Sequence, residues 1–111
     1  KPMREFLWSE EMADACVFVM EQVDFSDLRG NDKEVRNCHI NIGTGKDISI
    51  QSLSELIVKT VRYRGEIHFD ENKPDGTMKK LTDPSKLHSL GWKHKIEIEE
   101  GVEKMYDWYL K

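Results

Sequence analysis

Four side chains on turns and extended stretches carry the chemistry most easily read from the order of residues: Arg4, Lys73, Asp75 and Lys79. A guanidinium is a rigid fork of donors that fits a phosphate bidentately, whereas a lysine ammonium meets the same group as a point charge. The Asp75 carboxylate can accept two donors from a purine edge or a ribose. It can equally serve as an ordinary turn aspartate that bonds backbone N–H groups. The lysines, Lys80 included, also fit a solvated charged face.

Other chemistries fit the chain less well. Gly43-Thr44-Gly45 follows an extended stretch and precedes a helix, but Gln51 and Ser52 stand where a dinucleotide fingerprint would want its third glycine. An ordinary turn is the expectation there. Cys16, Cys38, His39, His68, His88 and His94 lack the paired spacing of a structural zinc site, so no metal is expected. There is no Gly-x-Ser-x-Gly elbow, and neither Tyr63 nor Tyr106 is followed four residues later by lysine. The expectation is therefore that no catalytic residue lies in this segment.

The chain has 111 residues, enough for one modest domain. Seventeen Lys plus Arg stand against twenty-one Asp plus Glu, a formal net charge of −4, which argues against broad electrostatic binding to nucleic acid. No apolar run approaches the roughly 20 residues of a membrane-spanning helix. The two cysteines are too few for a disulfide framework and point to a reducing, cytoplasmic setting. The start, Lys1-Pro2-Met3-Arg4, has neither an initiator Met nor a signal peptide and reads as a piece of a longer protein.

The elements that must position these groups follow from periodicity. After extended Arg4–Trp8, Ser9 caps a helix over Glu10–Val23, whose stripe of Ala13, Cys16, Val17, Met20 and Val23 is expected to face the core. Residues 24–37 lose that periodicity and read as a loop, with a short helical turn near Phe25–Leu28 and a turn at Arg29-Gly30-Asn31-Asp32. Cys38–Ile42 and Glu66–Asp70 alternate like strands and flank a Ser49-capped helix over Ile50–Arg62. That order predicts a βαβ unit with two parallel strands, with His39 and His68 on neighbouring polar faces. Lys73-Pro74-Asp75-Gly76 is a Pro-Asp-Gly turn leading into a short extended piece, Met78–Thr82. Asp83-Pro84 opens a two-turn helix ending at Gly91, and the last helix covers Ile98–Leu110.

Taken together, Pro2-Met3-Arg4-Glu5-Phe6-Leu7, His39 to Gly45, Phe69-Asp70, Lys73 to Thr77, Lys80-Leu81 and Leu90-Gly91-Trp92 resemble the C-terminal part of the GDP-L-fucose synthases. These belong to the extended short-chain dehydrogenase/reductase family, and the resemblance spans essentially the whole chain. It implies a small α/β C-terminal lobe with the βαβ unit, a short extra strand pair and three to four helices. It also implies that residues 1–111 bind the nucleotide-sugar, with Arg4 and Asp75 as substrate ligands and Lys73 and Lys79 beside them.

NADP, the Tyr-x-x-x-Lys pair and the epimerising Cys and His are implied to belong to an N-terminal Rossmann domain upstream of residue 1, so this segment would bind no cofactor. The partners implied are the GDP-sugar, that domain and, for the full-length enzyme, a second copy in a homodimer. Trp8 departs from the His or Tyr of many relatives, and Lys79 from their Arg, which turns a bidentate contact into a point charge. The loop over 24–37 is also longer than in many relatives. Two other readings remain open on residues alone: a non-catalytic α/β interaction module, and the substrate lobe of another sugar-nucleotide epimerase or reductase.

Overall fold

A strand of three residues, β1 (Met3–Glu5), is the axis of the fold. The computed structural model describes residues 2–30, 35 and 38–111. It places β1 between β2 (Asp47–Ser49) and β3 (Lys79–Lys80) in a mixed sheet of order β2-β1-β3. β2 runs antiparallel to β1, with Arg4 opposite Ile48 and Glu5 opposite Asp47. β3 runs parallel, with Met3 opposite Lys79 and Arg4 opposite Lys80. The backbone bonds Met3 N to Met78 O (2.7 Å) and Ile50 N to Pro2 O (3.1 Å) extend this ladder on either side.

Five helices surround the sheet among the described residues: α1 (Ser9–Gln22), α2 (Phe25–Arg29), α3 (Ile50–Val61), α4 (Ser85–Ser89) and α5 (Ile98–Leu110). Ser49 caps α3 as expected, its hydroxyl accepting from Ser52 N at 3.0 Å. α3 ends at Arg62, which takes the left-handed conformation at φ +60°. The Asp83 carboxylate accepts from Ser85 N at the start of α4, and Gly91, at φ +112°, turns the chain away from that helix. α1 begins one residue earlier than expected, because the carbonyl of Trp8, and not that of Ser9, accepts its first backbone bonds. The sequence expectation for the turn at Asn31-Asp32 lies outside the described residues.

The small α/β class holds, with five helices among the described residues where three to four were expected, and two further details are corrected. Cys38–Ile42 and Glu66–Asp70 are extended but pair with no strand among the described residues, so the predicted βαβ unit does not form. Alternation reports extended backbone with one sheltered side, and pairing needs a free neighbouring edge besides. Ile40 and Ile42 do share a sheltered side, against the core of Ala15, Leu87 and Trp92. Ile67 and Phe69 are exposed, and His39 and His68 share no sheet face. The parallel pair is instead β1 with β3, formed by two extended pieces whose pairing was not foreseen.

The second correction concerns α1. Its inward face is Glu11, Ala15, Phe18 and Val19, while Cys16, Val17 and Met20 of the expected stripe point outward, Met20 at 86% exposure. The inward face is selected by polar anchors. Glu11 is buried and its carboxylate accepts Lys95 N at 2.8 Å and Ile96 N at 2.5 Å. Asp14 accepts the indole N–H of Trp92 at 2.9 Å.

The result is a slab of 57 × 35 × 17 Å with a radius of gyration of 17.6 Å. A self-contained globule of this length would have a radius near ~13 Å. The outer side of α1 and the exposed Met105, Trp108 and Tyr109 of α5 are apolar surface that the chain does not cover itself. No helix among the described residues is long and apolar enough to cross a membrane.

Candidate functional site

Alternation along β1 sends Arg4 and Glu5 to opposite faces of the sheet, and each face has its own role. On the Arg4 face, the chain that leads into β3 passes over the guanidinium. Arg4 Nη1 donates to the carbonyl of Thr77 at 2.5 Å and to that of Met3 at 2.8 Å. A Cβ on Gly76 would stand 3.0 Å from Arg4 Nη2, so a glycine lets the turn lie this close. Asp75, the residue before Gly76, lines a cleft of about 450 Å³ together with Pro2, Ile50, Gln51, Phe69 and Glu71. The guanidinium therefore lies against the turn that bears Asp75, which the parallel pairing of β1 with β3 holds there, although Arg4 itself is not among the residues lining the cleft.

The two lysines are placed differently. Lys73 closes the preceding turn through its backbone N–H to Asp70 O, and its exposed side chain is not among those lining the Asp75 cleft. Lys79 is in register with Met3 and so belongs to the Glu5 face, where its ammonium lies 3.9 Å from Asp47 Oδ2. By register it is Lys80 that shares the face of Arg4. The structure thus sets Arg4 against the turn that bears Asp75, and gives the side chains of Lys73 and Lys79 no bond to that turn among the described residues.

Glu5 is the residue that sequence reasoning gave no role. Its carboxylate accepts from Gly45 N at 2.7 Å, from Thr82 Oγ1 at 2.7 Å and from Thr82 N at 3.2 Å, with Thr44 Oγ1 at 3.4 Å. Gly45 lies just before β2 and Thr82 just after β3, so one side chain ties both outer strands to the central one. Gly43 is packed under this contact, where a Cβ would strike Thr82 Oγ1 and Glu5 Oε2. The Gly-Thr-Gly stretch is therefore a turn gripped by a carboxylate, as an ordinary-turn reading requires. The signal available in sequence was a carboxylate beside Arg4 together with small and hydroxyl residues at 43–45 and 82, a pattern without meaning until topology joins them.

Burial of Glu5 opposes its ionisation, but the donors from Thr82, Gly45 and Thr44 outweigh it and hold the carboxyl below its ordinary value. A carboxyl lowered in the folded state contributes stability that is complete above its unfolded value and is lost as pH falls through its folded one. Thermal stability is accordingly expected to decline on acidification through and below the usual carboxylate range. Glu5→Ala is expected to flatten that part of the profile. An unchanged slope in the variant would contradict this role.

His94 is buried and lies 2.9 Å from Glu97 through Nε2, and Lys46 reaches the same carboxylate at 3.0 Å. These contacts, the one with Lys46 foremost, hold the exposed Glu97 carboxyl below its ordinary value. They join the 43–47 turn to the start of α5. Among the described residues no three His, Cys, Asp or Glu side chains gather where one metal ion could be held.

No family model matches the chain. Over 110 residues, 99% of its length, it is 44% identical to GDP-L-fucose synthase 1 of Arabidopsis thaliana. It is likewise 44% identical over 110 residues to the GDP-L-fucose synthase of Escherichia coli. The chain is homologous to the GDP-L-fucose synthases, of the extended short-chain dehydrogenase/reductase family. It spans 31% and 34% of the length of these two relatives. A GDP-D-glycero-L-gluco-heptose synthase from Campylobacter jejuni, solved with NADPH, superposes on the whole chain with a TM-score of 0.87 at 44% identity, and 31% of that structure is covered. Among GDP-L-fucose synthases and these relatives, the open slab is thus the shape of about a third of a larger fold.

Proposed function

We propose that residues 1–111 are the nucleotide-sugar lobe of an NADP-dependent enzyme that converts GDP-4-keto-6-deoxy-D-mannose to GDP-L-fucose by 3,5-epimerisation and 4-reduction. The observation that carries this reading is the Arg4 guanidinium lying against the turn that bears Asp75, beside the cleft of Phe69, Ile50 and Pro2. A cleft of about 450 Å³ is in the range of small-molecule sites, and its apolar walls suit a flat heterocycle. Asp75 would accept N–H donors of the purine edge or hydroxyls of the ribose. Arg4 Nη1 is taken up by the carbonyls of Met3 and Thr77, and the rest of the guanidinium would supply the donors to a phosphate oxygen.

NADP, which supplies the hydride, belongs in this reading to an N-terminal Rossmann domain. The segment itself contributes no catalytic group and binds no cofactor. We assign the outer face of α1, with Met12, Cys16, Val17 and Met20, as the seat of that domain, because an amphipathic helix with its apolar side bare is half of a contact. Two cysteines, too few for a disulfide framework, suit a reducing cytoplasm, and a homodimer of the complete enzyme completes the proposal.

A second reading is favoured by the heptose synthase, which matches as well as the fucose synthases do. In it the lobe recognises the GDP end and the sugar is a different 4-keto-hexose or heptose. Both are tested by following NADPH absorbance with the complete enzyme. Turnover of GDP-4-keto-6-deoxy-D-mannose to GDP-L-fucose supports the first, and turnover only of a GDP-keto-heptose supports the second. Oxidation of NADPH with neither would reject the proposed class.

A further inference from the structure

β3 has two residues and β1 and β2 three each, so the backbone ladder alone supplies few bonds to hold β3 in place. Yet β3 is what carries the Asp75 turn to Arg4. Glu5 sits at the point where this weakness is greatest. Its two oxygens receive Gly45 N ahead of β2, and both the N–H and the hydroxyl of Thr82 behind β3. The bonds reach 40 and 77 positions along the chain from one side chain. Charge-assisted bonds are the stronger kind, and a carboxylate that meets several converging donors fixes their mutual geometry.

We infer that Glu5 is a positioning residue for the nucleotide site: it clamps the ends of both outer strands to β1, and so keeps the Asp75–Thr77 turn seated on the Arg4 guanidinium. The inference rests on the proposed binding role of Arg4 and Asp75. Glu5 lies on the opposite face of the sheet and is assigned no contact with the ligand. Its influence passes through β1 to the adjacent residue, and through Thr82 to the strand that ends the turn.

The test is a kinetic cycle in the complete enzyme at a temperature where all variants are folded, with Arg4→Ala, Glu5→Ala and the double variant. Glu5→Ala is expected to raise KM for the GDP-sugar about tenfold, the scale of a lost charge-assisted bond, while kcat and the KM for NADPH stay at wild-type values. The double variant is expected to be no weaker than Arg4→Ala alone, because both remove the same contact. A side chain that only stabilised the fold would lower the melting temperature and leave this selective KM change absent. Wild-type KM in Glu5→Ala, or full multiplication of the two effects, would overturn the inference. Should Glu5→Ala fail to fold, Thr82→Val removes one donor and keeps the backbone bond. It is expected to raise KM about threefold, and an unchanged KM there would also overturn the inference. Wild-type KM in Arg4→Ala itself would strike the proposed function, whereas a normal Arg4→Ala effect with no Glu5 effect would strike the positioning role only.

Discussion

Arg4→Ala in the complete enzyme is expected to raise KM for the GDP-sugar roughly ten- to hundredfold, the consequence of losing a charged hydrogen bond worth ~1.5–3 kcal/mol. Two losses add here. The fork that would meet the phosphate disappears, and so does the bond from Nη1 to Thr77 O that steadies the Asp75 turn. Arg4→Lys should recover little, since an ammonium cannot hold the Thr77 carbonyl and a phosphate oxygen in one plane. Asp75→Ala is expected to fall in the same range, with Asp75→Asn retaining part of the binding through its remaining acceptor. Lys73→Ala provides the contrast, because its side chain is exposed and, unlike Arg4, holds no part of the Asp75 turn, and a change under about threefold is expected for a screened surface charge. Initial-rate kinetics over a range of GDP-sugar concentrations distinguish these outcomes, and equal effects at positions 4 and 73 would contradict the site.

The largest expected effect on stability is at Leu87. Its side chain is fully buried in the cluster it forms with Ala15 of α1 and Trp92, against which Leu7, Phe18, Val19, Ile40 and Ile42 pack. Truncation to alanine removes the transfer free energy of the lost methyl groups and leaves a cavity, together about 2–5 kcal/mol. Against a typical total of about 5–15 kcal/mol, this is a large share. The core is small, so few neighbours can move in to fill the space. A marked fall in the urea midpoint, followed by circular dichroism, is expected for Leu87→Ala in the complete enzyme. A shift no larger than that of a surface substitution, within ~0.5 kcal/mol, would show that the three-residue core does not anchor α1 and α4.

Helices were the legible part of this chain. Ser49 and Asp83 mark their starts by side-chain chemistry that acts locally, and Gly91 marks an end by its backbone freedom. The strands were not legible, because their pairing depends on which edge meets which. Glu66–Asp70 alternates well and pairs with nothing described, while Lys79–Lys80, with no apolar pattern at all, completes the sheet. The wrong face of α1 has the same origin: its more apolar stripe, with Val17 and Met20, is bare in this chain, and the face that turns inward is chosen by the partners of Glu11 and Asp14.

At the site, Arg4 and Asp75 were legible as residue types that suit a nucleotide. Lys79 was misplaced because strand register, invisible in sequence, turns it to the Glu5 face. Glu5 was missed because its partners at 45 and 82 are brought to it by topology alone.

The most direct measurement is a crystal structure of the complete enzyme with GDP bound. GDP phosphate oxygens within hydrogen-bond reach of the Arg4 guanidinium, and the base or ribose donating to Asp75 beside Phe69, are the expected result. Well-ordered GDP seated elsewhere, touching neither Arg4 nor Asp75, would contradict the account.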